Sequence, residues 1–502
     1  MDRNARSWRL RRRLCLRYAV LPVAVAAAWV LAAGDALFAA PLTWIAGATV
    51  LSPEHKDSGR QLNVLVDGER IAAVTAELPA DAAQGATVVN ADGLFLIPGL
   101  IDGHTHLQSV PGFTPVMQLG HPALVRAYRA QLPRSFLRYG YTTVIDLIVA
   151  DPDALAVFAQ APVRPDFYTC GPALPVPGGY PTQNAPAPFR ELAFPNTVVE
   201  PKDAGGSSAH TPEAAVARVK RDGGICVKTF FERGFGRDRN LPVPSAALFA
   251  GIVEAAHAAG LPVLLHASSI EAQRFGMDGG TDVFVHGLWN WGEFNDAPAL
   301  PDAAREVLER VVARRTGYMP TMQVIAGLRL LYEPDYFERP AVRRVVPKAL
   351  LDWYRTADGR WFRDELAGGA SDETMRGILD QVLRRAAETT GYLAQHDANF
   401  LFGTDTPSGP TPGNLPGLNG YLEMQRLVAA GLTLRQLFEA ATLSNARAFG
   451  LAEQAGTIEP GKRANLLLLK RSPLESVEAY DAIQTLWIGG RRLDPASLEA
   501  TE

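Results

Sequence analysis

Residues 96–107 read LIPGLIDGHTHL, an apolar run that ends in two histidines one residue apart. On an extended strand residues i and i+2 face the same side, so His104 and His106 point the same way. Two neutral imidazoles side by side are either a satisfied polar patch or two ligands of one metal ion. The stretch alone leaves both readings open, and the rest of the chain has to decide between them.

From residue 96 onward, short apolar runs alternate with helical segments. The runs are GLIDGHTHL, TTVIDLIVA (142–150), PDFYTCG (165–171), ICVKTFF (225–231), PVLLHAS (262–268), DVFVHGL (282–288), GYMPTMQ (317–323) and ANFLFGTDT (398–406). Between them lie amphipathic stretches with clear start signals. TPEAAVARVKRDGG opens with Thr211 as N-cap and Pro212 in the first turn, and SAALFAGIVEAAHAAG runs from Ser245 to Gly260. Eight buried strands alternating with helices predict an α/β fold of the (β/α)8 TIM-barrel type over residues 96–450, with an open doubly wound sheet as the competitor. Residues 41–95 and 451–495 hold short strand-like runs instead, among them VDGERIAAV, a hairpin with Asp67-Gly68 at the turn. These runs are expected to pair into one small β-sandwich domain built from both chain ends. Two connections, 171–210 and 324–396, are unusually long, which marks functional or mobile segments.

Composition narrows the function class. The chain has 502 residues, 47% of them hydrophobic, and a net charge of −4, so nothing favours nucleic acid as a partner. Three cysteines cannot form a disulfide framework, and Cys170 and Cys226, in strand-like runs, read as buried free thiols. The first forty residues differ from the rest. A basic stretch, RSWRLRRRLCLRY, which carries Cys15, precedes the short apolar run AVLPVAVAAAWVLAA (19–33) and then small residues. That is the layout of a secretory signal, of the Sec or twin-arginine type, and predicts export to the periplasm. An uncleaved anchor over residues 19–40 is the alternative; without it no membrane embedding is expected.

When the strand ends are taken together, a set emerges. His104 and His106 end the first run, Lys228 lies near the end of the fourth, His266 ends the fifth, His286 the sixth and Asp405 the eighth. In a barrel these ends converge on one face. Four of the nine histidines fall at such positions, which argues against chance. A lysine in an apolar strand is costly to bury unless its charge is paired or removed. A neutral amine there can react with carbon dioxide to give a carbamate.

The stretches PGLIDGHTH, VKTF, HA, HG and GTD, in that order, resemble the amidohydrolase superfamily, in particular its binuclear imidazolonepropionase-like and prolidase-like members. GYTTVIDL, PGGY (177–180) and LSNARAFGLAEQAGTIEPGKRANLLLL (443–469) add to the resemblance, which covers roughly residues 43–492. It implies that His104, His106 and Asp405 hold one divalent metal ion and His266 and His286 a second. Carboxylated Lys228 and a hydroxide would bridge the two. Nitrogen and oxygen donors around an open position suit zinc best. Asp405 would act as general base toward the water and then as general acid toward the leaving nitrogen.

The implied activity is hydrolysis of an amide, cyclic amide or dipeptide-like C–N bond in a small-molecule substrate. Deamination, hydrolysis of a lactone or phosphotriester, and a non-catalytic binding relative are the alternatives, and a homo-oligomer is compatible with the sequence. Relatives of this kind often carry histidine where Tyr180 stands, aspartate where Asn465 stands, or glutamate where Val285 stands. None of these departures removes a ligand. Candidate substrate-binding residues are Tyr180, Arg233, Trp289 and Tyr318, with Asn290 and Gln323 as further pocket candidates. Asp102 and Asp146, near strand ends, read as structural hydrogen-bonding groups.

Overall fold

Both ends of the chain contribute to one sheet. In the computed structural model, which describes residues 42–501 apart from 57, 186–189, 201–207 and 236–239, five strands precede the first histidine pair. They are β1 (Leu42–Val50), β2 (Arg60–Asp67), β3 (Arg70–Thr75), β4 (Ala86–Asn90) and β5 (Phe95–Pro98). Asp67 pairs with Arg70 across a two-residue turn in which Gly68 takes φ +55°, so the Asp67-Gly68 hairpin forms as expected.

Seven parallel strands follow: β6 (Leu100–Thr105), β7 (Tyr141–Asp146), β8 (Asp166–Thr169), β9 (Val227–Phe230), β10 (Val263–His266), β11 (Val283–Val285) and β12 (Gly317–Met319). Near the C-terminus come β13 (Leu466–Leu469), β14 (Ile483–Ile488) and β15 (Arg491–Leu493). The end strands assemble in the order β15-β14-β13-β5-β1-β2-β3, with β4 alongside β1. The join between the two chain ends is the antiparallel pairing of β5 with β13, where Leu96 faces Leu468. Ile45, Val64, Leu96, Leu466 and Trp487 form an apolar core of their own beneath this sheet, each at 0% exposure.

The parallel strands form two sheets, β6-β7-β8 and β12-β11-β10-β9. Backbone hydrogen bonds run between them on both sides. Ile225 N donates to Thr169 O at 2.9 Å and Leu174 N to Lys228 O at 2.8 Å, linking β8 to β9. On the other side, residues 398–406 lie between β12 and β6. Leu401 N donates to Tyr318 O, Gly103 N to Phe402 O and Asp405 N to His104 O. The eighth run is therefore not a regular strand but an extended segment with isolated bridges, Tyr318 to Phe400 and Thr105 to Thr406. Its ladder breaks where Asp405 adopts φ +54°. Ile101, Ile145, Leu264, Val283, Met319 and Leu401 pack as one buried cluster among these strands.

Cys170 and Cys226 belong to the same cluster, and here the sequence reading is overturned: they are not free thiols but a disulfide, with Cα atoms 4.5 Å apart. The end of β8 and the start of β9 lie side by side, which brings the two Cβ atoms within bonding reach. A separation of 56 residues in sequence gives no sign of that neighbourhood.

The helices start where their caps predict. The Thr211 hydroxyl accepts from Ala214 N ahead of the helix Pro212–Arg221, and the Ser245 hydroxyl accepts from Leu248 N ahead of Ala246–Ala258. The long connection after β12 holds the helices Met322–Leu330, Lys348–Tyr354, Trp361–Ala367 and Asp372–Gln395. It packs on the loop after β6, where Trp353 stacks on Phe113 at 4.2 Å and the Trp361 indole N–H donates to Gly112 O. The leader read at residues 1–40, with Cys15, lies outside the described residues. Among the described residues no helix is long and apolar enough to cross a membrane.

Candidate metal centre

The C-terminal ends of β6, β9, β10 and β11 and the 398–406 segment deliver the six side chains singled out in the sequence to one place. His104 and His106 stand edge to face with ring centroids 5.3 Å apart, and His266 and His286 lie 4.4 Å apart. The two pairs meet through His104 and His286, whose centroids are 5.1 Å apart. Asp405 Oδ1 sits 2.7 Å from His106 Nε2 and 3.0 Å from His104 Nε2, and these three residues form a group able to hold a metal ion.

Simple strand alternation cannot aim all six side chains. Val285 is part of the inward cluster, so the next residue would face out. His286 instead takes φ +105°, and Asp405 takes φ +54°. Left-handed backbone at a non-glycine residue costs on the order of 1–3 kcal/mol and persists only where the surroundings impose it. Close approach is also enforced beside the site. A Cβ on Gly403 would stand 2.2 Å from Met319 Sδ and 2.7 Å from His104 Cβ, so only glycine fits there.

Burial sets the protonation states. Desolvation pushes His104 down to about 3, and it lowers His266 and takes His286 well below its usual range. Burial would raise Asp405, but His104 and His106 outweigh it and hold the carboxyl well below the usual range. Lys228, 1% exposed, is brought down to about 7 by desolvation, against the pull of Asp405. His104, His266 and His286 thus stand as neutral imidazoles beside an ionised carboxylate and an amine able to shed its proton, the states in which these groups bind cations. Both ring nitrogens of His104 and Nε2 of His266 are buried without a hydrogen-bond partner, which suits donors reserved for something other than protein.

Supporting groups surround the cluster, and two of them, Thr321 and Glu232, carry no motif that singles them out. The Thr321 hydroxyl lies 2.8 Å from His286 Nδ1, which leaves Nε2 for the cluster. Glu232, 5% exposed, places Oε2 3.4 Å from His266 Nε2, too poorly aligned for a hydrogen bond from the ring. Its oxygens accept from the Ser268 hydroxyl at 2.7 Å and Gly234 N at 3.0 Å. Its only sequence signal was period two, since Lys228, Phe230 and Glu232 share a face. Asp102 ties the first and last strand ends together, accepting from His104 N and from both N and Oγ1 of Thr404. Asp146 accepts from Leu107 N and Ile148 N beside His106.

The candidate substrate residues separate. The Tyr180 ring is 4.7 Å from His266 and the Trp289 ring 5.4 Å from His286, so both adjoin the cluster. Arg233 is half exposed and forms a bidentate pair with Glu271 at 2.8 Å and 3.1 Å. Tyr318 requires a correction. It is fully buried, packs on Phe284 and Phe400, and its oxygen accepts from Gln273 Nε2 and Leu288 N. Its neighbour Met319 takes the inward position on β12, so Tyr318 faces the helices. Gln323 is likewise fully buried, its Oε1 accepting from Arg426. Asn290 shapes its own turn by accepting from Gly292 N and Asn295 Nδ2.

The same architecture occurs in known proteins. The chain resembles the crystal structure of an Xaa-Pro dipeptidase with bound methionine in the active site (TM-score 0.64, 17% identity, 90% of this chain and 100% of that one). It also resembles Aspergillus niger ochratoxinase (TM-score 0.63, 19% identity, 91% and 97%). At these identities the likeness speaks for the fold. In sequence, 70 residues are 49% identical to a dihydroorotase of Streptomyces coelicolor, a match that spans only 14% of either chain. The amidohydrolase family model matches residues 95–282 and 371–493, a range that includes all six clustered residues except His286 and more than half of the sequence. The chain therefore belongs to the amidohydrolase family.

Proposed function

We propose that the protein hydrolyses a C–N bond of a small molecule, an amide, cyclic amide or dipeptide-like bond, at a centre of two divalent metal ions. The observation that carries this reading is the convergence of His104, His106, Lys228, His266, His286 and Asp405 from five chain segments into one largely buried cluster of imidazoles around an ionised carboxylate. The donor set fits the metals. His104, His106 and Asp405 would hold one ion and His266 and His286 the other, with Lys228, carboxylated on its amine, between them. Nitrogen and oxygen donors favour zinc. When bound, such a pair of ions lowers the pKa of a water molecule and polarises the scissile carbonyl.

The chain's own residues do the rest. Asp405, with Oδ1 directed at the two imidazoles, takes the proton from the attacking water on its other oxygen and delivers it to the leaving nitrogen. Thr321 holds the His286 ring in orientation through Nδ1. The hydrogen bonds between 398–406 and both β12 and β6 support a closed (β/α)8 barrel over residues 96–450. Residues 41–95 and 451–495 would form the small β-sandwich domain. The Cys170–Cys226 disulfide supports export, since such bonds persist in oxidising compartments; residues 1–40 would then be the export signal.

The test is metal analysis of the purified protein coupled to a screen of cyclic amides and N-acyl amino acids, with ammonia release read separately. Two metals per chain with amide cleavage and no ammonia are expected. One metal or none overturns the binuclear reading, and ammonia from a ring amidine would make the enzyme a deaminase.

A further inference from the structure

Three aromatic rings surround the His266 edge of the cluster and take no part in the metal chemistry proposed above. Tyr180 stands 4.7 Å from His266, Phe230 6.0 Å and Phe235 6.1 Å. The rings also address one another. Tyr180 meets Phe230 edge to face at 5.8 Å and 71°, and Phe235 at 5.6 Å and 88°. They arrive from separate parts of the chain, Tyr180 from the long connection after β8 and the two phenylalanines from the end of β9 and the loop after it. Phe230 is 5% exposed, whereas Phe235 is 49% exposed, a large apolar residue left open to solvent within 6.1 Å of the buried His266 ring.

We infer that Tyr180, Phe230 and Phe235 form a binding subsite for a neutral aryl group of the substrate, beside the scissile bond on its His266 side. This rests on the hydrolase reading above. Walls set near right angles let a flat guest meet one ring offset and another edge-on, the two arrangements aromatic pairs prefer. A cage of rings also suits an organic ammonium, but the electrostatics oppose one here. The divalent ion that His266 and His286 would hold, with its neighbour at His104, His106 and Asp405, would repel a further positive charge. The nearest carboxylate outside the donor set, Glu232, already accepts from Ser268 and Gly234. Arg233, which lies between Phe230 and Phe235 in the chain, is paired with Glu271. The rings are therefore the chemistry offered at this edge.

Hydroxamic acids, which bind divalent metals through one common head group, test the subsite without knowledge of the substrate. Affinities for the metal-loaded protein would be measured by calorimetry for benzohydroxamic, cyclohexanecarbohydroxamic, acetohydroxamic and trimethylammonioacetohydroxamic acids. The aryl compound is expected to bind about tenfold more tightly than the acetyl one, and more tightly than the cyclohexyl one, as two ring contacts provide. Phe235→Ala and, separately, Tyr180→Leu should reduce that preference to about twofold with metal content unchanged. Equal affinity for phenyl and cyclohexyl, preference for the ammonium, or no binding by any of the four overturns the inference. Aryl preference without cleavage of any amide leaves the subsite standing and overturns the hydrolase reading. Cleavage with no aryl preference does the reverse.

Discussion

The two ends of the same strands are built on opposite principles. At one end Ile101, Ile145, Leu264, Val283, Met319 and Leu401 interdigitate as an apolar plug, stapled by Cys170–Cys226. A few residues further along, the strands end in His104, Lys228, His266 and His286, and the 398–406 segment in Asp405. The plug follows local rules, with inward side chains at every second residue and backbone in its ordinary regions. The polar end breaks them, with left-handed backbone at His286 and Asp405, histidine nitrogens without partners, and a lysine desolvated to about 7. One end supplies stability and the other spends it on holding polar groups ready.

The sharpest way to break this contrast is at Asp405. Asp405→Asn keeps the shape and removes the proton acceptor, so turnover should fall by about 10²–10⁴-fold, while metal content, measured on the same preparation, falls far less. Unchanged turnover would remove Asp405 from the chemistry. Next in size, Leu264→Ala in the plug should cost about 2–5 kcal/mol of stability in denaturant unfolding and leave metal bound per folded chain unaltered. Coupled loss of metal would mean the two ends are not separate. Replacing both cysteines by alanine should cost about 2–4 kcal/mol, again with no change in metal stoichiometry.

The smallest effect concerns the scaffold behind His286. Glu423, fully buried, accepts from Met322 N and from Gln323 N at 3.0 Å and 2.5 Å, anchoring the helix that begins just after Thr321. Burial raises its carboxyl from an ordinary 4.5 to about 7. An acid raised on folding favours the native state while protonated. Its contribution is therefore fully present below about 4.5 and is lost as pH rises through about 7, amounting to about 3 kcal/mol at most. Glu423→Gln should flatten the fall in stability between pH 5 and 8 relative to the parent, measured by urea unfolding, roughly in proportion to that value. An unchanged slope would show that Glu423 is not the group titrating there.

Much of the polar end is legible in the order of residues alone. LIPGLIDGHTHL, with the other strand-end residues, names all six members of the cluster, because each ends a short apolar run and burial of such a residue needs a reason. The paired chain ends are legible too, since period-two runs without helices between them have to find one another to bury their faces. What escapes is whatever depends on neighbours distant in sequence. Tyr318 follows a strand-end pattern as well as His286 does, yet Met319 takes the inward place and turns it to the helices. Cys170 and Cys226 become partners only because β8 and β9 lie side by side. Glu232 and Thr321 matter through contacts with partners distant in sequence, Ser268 and His266 for one and His286 for the other.

The amino-acid sequence by itself determined which side chains would be buried and polar at the strand ends, because hydrophobic periodicity and desolvation cost act residue by residue. Tertiary structure alone decided which of them face one another and which nitrogen is left free. Those outcomes depend on strand neighbours, on backbone forced left-handed at two positions, and on packing that only the assembled strands impose.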